Sequence, residues 1–366
     1  MKKKPNAHPW IVRALLGVTG LASLLMTGAL HGEEYYDKYD LTPNKAYVDM
    51  GVQPMAYPLA FISSTMQRDR TLRADLKALG LVLRPFNFRK GNDMVHLMGD
   101  GKLEFAFLGD MPTVNTLVRT PTAIAGLGKR NFSSVVSRNF AQMDSLRGKR
   151  IGYSAGSSSH LVLLRGLKAA HMLESDVTLV AMEPSQMPDA LENGTIDAFS
   201  AWEPTPSISI ARNSKNRAIY RGMSTDWVVV SKEFTDQQPK AALFLVASYA
   251  RAINWMRIAN ANVERAGGWV LGDGESFTAQ PRSLSLSKAV EIARKDLLEV
   301  PGAPAVPAKV DGVPPLTREF EFLQQQGRIP AGVDADRIAQ AFAYTGLKQV
   351  QADPKKYRLF VYDYDQ

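Results

Sequence analysis

Two stretches of this chain, offset by 93 residues, carry the same short unit: a helical turn, a Gly stop, an apolar strand and an acidic loop. Met94 falls on Met187, Gly101 on Gly194, Leu103 on Ile196, Glu104 on Asp197 and Asp110 on Glu203. Strands and helices alternate after about residue 45, so the duplication predicts an α/β protein of two related lobes. The first pass reads as strand Lys45–Met50, loop Gly51–Pro58, a helix to about Leu79 stopped by Gly80, strand Leu81–Phe86, a short helix Asn92–Met98, and strand Leu103–Leu108 ending in Gly109-Asp110-Met111-Pro112. The second reads as strand Gly148–Tyr153, the run Ser154–His160, helix Leu161–Leu173, strand Val177–Met182, helix Ser185–Leu191, and strand Ile196–Ser200 ending in Ala201-Trp202-Glu203-Pro204. Ligands in open α/β sheets bind beyond the carboxyl ends of strands, where both acidic loops lie. Val135–Leu146 and a strand at Trp227–Ser231 are the natural crossings between lobes. Pro239–Ile258 and Leu284–Leu298 read as helices, and the Pro/Gly-rich Val300–Pro315 as a surface loop. From Leu316 the chain reads as an appended helical pair with a polar tail.

Composition narrows the function. With 366 residues, 45% hydrophobic and 22% charged, the chain is neither disordered nor a polytopic membrane protein. It has no cysteine, which removes disulfide scaffolds, Cys-ligated metals and thiol nucleophiles. The five His make a His-rich metal site improbable, and His96 and His171, on helices without a matched second ligand, read as structural. The net charge of +8 owes half its size to Lys2, Lys3, Lys4 and Arg13. Taking those four from the 44 Lys and Arg leaves 40 against 36 acids. The remaining bases are interspersed with acids, so nucleic acid is excluded as a partner. Lys2–Lys4 followed by the uncharged Ala14–Leu30 and the small Thr27-Gly28-Ala29 form a signal peptide or N-terminal anchor over residues 1–32. Ala14–Leu30 would reach about 25 Å as a helix, short of the ~30 Å hydrocarbon core, which favours cleavage. The expected location is periplasmic, with a membrane tether if the segment stays.

Gly156-Ser157-Ser158-Ser159-His160 opens a helix directly after a strand. One reading is an anion cradle of free N–H groups, helix dipole and hydroxyls; the other is an ordinary Ser N-cap. As a cradle it would need no Lys or Arg, and none lies in Tyr153–His160. A Ser hydrolase lacks its Gly-x-Ser-x-Gly elbow, and no Walker A loop is completed. Asp110 and Glu203 could face each other as an acid/base pair, or each could cap the helix that follows it. Trp202 could wall a ligand or belong to the core.

The combination of Leu146–Gly152, Gly156–His160, Asp176–Val180 and Ile196-Asp197-Ala198 through Trp202-Glu203-Pro204 resembles the nitrate/sulfonate/taurine class of ABC-transporter substrate-binding proteins over residues 45 to 260. The resemblance implies a type II periplasmic binding protein: two Rossmann-like lobes joined by two crossover strands, with the ligand cleft between lobes. Lobe I would hold 45–139 plus 229–366, and lobe II 140–228. The cleft would be lined by Gln53, Pro54 and Tyr57, by Gly109, Asp110 and Met111, by Ser157, Ser158, Ser159 and His160, and by Trp202 and Glu203. The function implied is capture of a small anion of the sulfonate, taurine or nitrate type, handed to ABC permease and ATPase subunits by a monomer with no cofactor, metal or catalytic residue. The alternative is an enzyme or ligand sensor on the same fold, acting on a small heterocycle such as a thiamine-type pyrimidine. The thiamine-precursor enzymes carry a Cys-rich motif that this chain cannot have. The chain from about 270 onward departs from the family pattern.

Overall fold

The computed structural model describes residues 36–43, 46–298, 304–309 and 312–365. The leader reading of 1–32 and much of the 300–315 loop lie outside them. Contacts divide the chain into Met1–Asp40 and Leu41–Gln366. In the first unit the described residues form a turn closed by the Tyr39 N–H donating to Tyr36 O (2.9 Å). Everything below concerns the second. No helix among the described residues is long and apolar enough to cross a membrane.

The elements used here are β1 (Tyr47–Val52), α1 (Leu59–Gln67), α2 (Arg70–Ala78), β2 (Val82–Asn87), β3 (Phe105–Gly109), α3 (Asp110–Arg119), β4 (Thr122–Ser137), β5 (Arg150–Tyr153), α4 (Ser158–Ala169), β6 (Thr178–Ala181), β7 (Ala198–Ala201), α5 (Thr205–Arg212) and β8 (Arg217–Ser231). They are followed by α6 (Pro239–Ile258), α7 (Asn260–Thr278), α8 (Leu286–Ala293), α9 (Thr317–Gln325), α10 (Asp336–Gln340) and α11 (Tyr344–Ala352). The strands form one mixed sheet in the order β2-β1-β3-β8-β4-β7-β5-β6. Its two ends repeat each other. β1 pairs in parallel with β2 and β3, and β5 pairs in parallel with β6 and β7. Between them β4 and β8 run antiparallel from Thr122↔Ser231 to Ser137↔Arg217, β3 joining β8 and β7 joining β4.

The 93-residue duplication is built into this symmetry. The Glu104 carboxylate accepts from the N–H of Asp49 (2.7 Å), and the Asp197 carboxylate accepts from the N–H of Arg150 (2.9 Å). Each acid thus ties the start of its own strand to the neighbouring one. Gly101 and Gly194 both turn at φ +68°, a region that favours glycine. Leu103 packs on Gly51 and Ile196 on Gly152, where a Cβ would crowd them.

The largest core lies on the first half-sheet, where Val48, Met50, Phe105, Phe107 and Val228 meet Phe61 and Ile62 of α1 and Leu245, Tyr249 and Ile253 of α6. The second half-sheet has smaller clusters around Val135, Ile151 and Leu163, and around Val136, Met187 and Phe199.

Four expectations are corrected. The crossing is not Val135–Leu146 but the whole of β4, paired along its length with a β8 longer than Trp227–Ser231. Gly126, Gly128 and the polar Lys129-Arg130-Asn131 hide β4's alternation in the sequence. The helix expected to reach Leu79 is two, because Asp69 leaves the helix (φ −75°, ψ 101°) and accepts from Leu72 N–H (3.1 Å), capping α2. The helix expected from Leu161 starts at Ser158, so the serines lie in its first turn. The tail is not an appendage: Leu347, Val350, Tyr357, Leu359 and Tyr364 belong to the main core. The fully buried Arg251 explains part of this. Its guanidinium pairs with Asp69 (2.5 Å) and donates to the carbonyls of Tyr357 (3.1 Å) and Arg358 (3.2 Å). A buried charge persists only when paired and hydrogen-bonded in this way.

Candidate functional site

The carboxyl ends of β1, β3, β5 and β7 converge where β4 and β8 cross from one half-sheet to the other. All the residues expected to line a cleft lie at the ends of those strands, in the loops or the first helical turns that follow, and all are buried except the half-buried Glu203. Several touch across the two halves. Tyr57 N–H donates to Glu203 O (2.9 Å). A Cβ added at Gly109 would overlap Ser158 Oγ, so glycine is what lets α4 rest its first turn on the end of β3. The Ser158 hydroxyl also favours the charged form of the Asp110 carboxyl. Gln53 stays within the first half, its Nε2 donating to Phe107 O of β3 (2.8 Å). Pro54 and Met111 are buried nearby, and Met111 N–H donates to Asp110 Oδ1 (2.8 Å).

The serine run divides between the readings left open. Ser157 is the N-cap: its Oγ accepts from His160 N–H (3.2 Å) and donates to Ser154 O (2.7 Å). Ser159 is turned inward, with Oγ 3.0 Å from Ser157 Oγ and its carbonyl accepting from Ser200 Oγ (2.7 Å). Only Ser158 faces the opposite half.

Asp110 and Glu203 have separate partners. Asp110 accepts from Met111 and Thr225 N–H groups, and Glu203 Oε2 accepts from Ser207 N–H (3.3 Å), each thereby serving its own helix start. Burial, reinforced by the charge of Glu319, pushes the Asp110 carboxyl up to about 6, against the pull of the Ser158 hydroxyl and Arg165. Burial raises Glu203 as well, while Lys129 opposes it. Burial lowers His160 to about 3, with Arg328 adding to the effect, so the ring is neutral. Its Nδ1 accepts from Gly156 N–H (3.2 Å), which places the proton on Nε2. The ring leans on Tyr153, centroids 4.7 Å apart.

Three buried donors at these strand ends, Ser154 Oγ, Trp202 Nε1 and His160 Nε2 in the first turn of α4, have no hydrogen-bond partner. Ser154 and Trp202 follow β5 and β7, strands paired at Tyr153↔Ser200. A buried donor left unmade costs about 1–3 kcal/mol, so such donors on adjacent strand ends point to an acceptor-rich ligand.

Sequence reasoning missed Lys129, Asp226, Asn92 and the pair Lys90–Glu183. Lys129 and Asp226 are register partners on β4 and β8, ion-paired at 3.2 Å and almost fully buried. Asp226 Oδ1 lies 3.2 Å from where a Gly109 Cβ would be, so the pair sits at the end of β3. A lysine neutralised by its own carboxylate partner is thus buried at the convergence, outside the Tyr153–His160 run. The signal was the polar triplet Lys129-Arg130-Asn131 inside an otherwise apolar run. Asn92 lies against Gly156, where φ is +72° and any Cβ would overlap it. Lys90 reaches Glu183 across the halves (3.2 Å). A separate cavity of about 380 Å³ lies between α3, α4, β8 and the chain around α9, sharing only Asp110 with the expected set.

Residues 113–271 match the NMT1-like family. A Bacillus subtilis protein named for binding aliphatic sulfonates is 24% identical over 189 residues, 49% of this chain and 57% of the relative. The chain thus spans little more than half that relative's length. The taurine-binding periplasmic protein of Escherichia coli is 24% identical over 275 residues, 67% of this chain and 78% of the relative. The alkanesulfonate-binding protein SsuA of Xanthomonas axonopodis pv. citri, solved with MOPS bound, superimposes with a TM-score of 0.61 at 14% identity, covering 82% of this chain and 99% of that one. These likenesses bear out the resemblance read from the sequence, and the structural match shows the binding-protein fold.

Proposed function

We propose that this chain is the extracytoplasmic solute-binding protein of an ABC importer, taking up a small anion of the sulfonate, taurine or nitrate type. The observation that carries the reading is the set of buried neutral donors without partners, with Lys129 close by, at the junction of two half-sheets. Neutral donors and helix N-termini hold an anionic head without fixing it irreversibly. The names of the relatives support binding rather than turnover. Asp110 and Glu203 serve helix starts rather than each other, which also favours a binding protein over an enzyme.

In this reading the lobes of 45–139 plus 229–366 and of 140–228 close about β4 and β8. Export by the 1–32 segment would put the protein in the periplasm as a monomer, where it would meet permease and ATPase subunits. A thermal-shift screen of taurine, ethanesulfonate, nitrate and sulfate tests it. A ligand at 100 times its Kd should stabilise the fold by about 2.7 kcal/mol. Lys129→Met should abolish the shift. No stabilisation by any of the four anions would refute the reading.

A further inference from the structure

We propose that the chain from Leu316 to Asp365 is a latch: it belongs to the first half-sheet and catches α4 of the second, so that release of α4 from α9 shifts the halves towards parting, alongside the ties at the strand ends such as Tyr57 to Glu203. The proposal rests on the lobe-closure reading above.

The two attachments differ in kind. On the first half the segment is built in. Ile124 N–H donates to Ala341 O (2.8 Å), and Ala343 N–H donates to Ile124 O (2.9 Å), covering the edge of β4. Phe342 packs edge-on against Trp227, with centroids 5.4 Å apart. α9 and α10 pack on α3, and α11 packs on α6. Arg251 holds the carbonyls of Tyr357 and Arg358 from the core, and Arg70 and Arg73 hold Asp363 and Asp365 at the surface.

On the second half the contacts are side-chain tips. Arg165 of α4 donates to Glu319 (3.0 Å), Lys168 donates to Gln325 (3.4 Å), and Arg328 donates to Glu174 (2.8 Å). The cations of Arg165 and Lys168 lie 5.7 and 5.3 Å from the Phe322 ring. The side chains of Arg165 and Glu319 are 23% and 19% exposed, and those of Arg328 and Glu174 33% and 36%.

A part-exposed pair contributes up to about a five-fold factor, whereas breaking the buried Arg251 pair would cost far more. Under load, the α4 side gives way first. The 380 Å³ cavity lies on the same seam, with Asp110, Arg165, Trp227, Glu319 and Phe322 in its wall. The seam between α4 and α9 therefore combines this cavity with the buried Phe322 ring, which the Arg165 and Lys168 side chains cover. Among the described residues, three side-chain hydrogen bonds and two cation–ring contacts thus join this segment to the second half.

The chain has no cysteine, so Lys77→Cys and Lys215→Cys, both exposed and on opposite halves, can carry a unique pair of spin labels. Pulsed dipolar spectroscopy on the full chain should give one short distance. Adding Glu319→Gln with Arg328→Gln should bring in a longer distance, raising the open-to-closed ratio about five-fold for each pair lost. The charge exchange Arg165→Glu with Glu319→Arg should keep the short distance, which a role in folding alone would not predict. A long-distance population already present in the parent and unchanged in the variants would overturn the latch while leaving lobe closure standing. One identical distance in every protein would overturn both.

Discussion

The contact between Gly109 and Ser158 can be weighed atom by atom. A Cβ at residue 109 overlaps Ser158 Oγ but lies 3.3 Å from Ser158 Cβ, a separation that a shift of a few tenths of an ångström relieves. In Gly109→Ala the hydroxyl must rotate away and give up its support of the charged Asp110 carboxyl. Polar support of a charged group is worth up to about 1.5–3 kcal/mol. Ser158→Ala gives up the same support by removing the hydroxyl. The double variant loses it only once. The single costs should therefore not add: the double variant should be about as stable as either single one, a coupling of about 1.5–3 kcal/mol. Urea unfolding of the four proteins, followed by tryptophan fluorescence, measures it from the midpoints at constant slope. Additivity within about 0.5 kcal/mol would refute the account, because it would mean that α4 does not rest on the end of β3.

The remaining predictions concern buried charge. The Asp110 carboxyl sits at about 6 in the fold against 3.8 in the free chain, so its contribution to stability is full below 3.8 and is lost as pH rises through 6. At about 1.36 kcal/mol per pH unit the loss is up to about 3 kcal/mol. Asp110→Asn should flatten that part of the urea-midpoint profile, and parallel profiles for parent and variant would exclude the effect. Arg251→Met should cost about 3–5 kcal/mol in calorimetric unfolding, because it strands the Asp69 carboxylate in the core. A loss below about 1 kcal/mol would mean that water reaches Asp69.

The duplicated unit and the strand ends were legible because they are local patterns: Gly at the turns, apolar strands, acids at fixed spacing. β4 was not, since its central residues are chosen for the crossing. Gly126 and Gly128 make room for Tyr249 and Leu59, and Lys129 answers Asp226 on another strand. The serine run was legible as a choice between cradle and cap, but not as a division of labour, which depends on which hydroxyl meets Gly109. The tail misled for a related reason. Its polar surface, Asp363 and Asp365 above all, is matched to Arg70 and Arg73 nearly three hundred residues away, a pairing that composition cannot reveal.

Arg251 also bears on the order in which this molecule can form. Its acceptors at Tyr357 and Arg358 lie 106 and 107 residues downstream, and Asp69 lies 182 residues upstream. Until both arrive, the guanidinium has nowhere dry to go. A nascent chain that has reached only α6 can offer Arg251 the Asp69 carboxylate but neither of the two carbonyls. Contacts of such long range slow folding, since loop closure has to be met before they reward it. The core on the first half-sheet is therefore complete only once the C-terminal segment has arrived, although β1, β2 and β3 are made first.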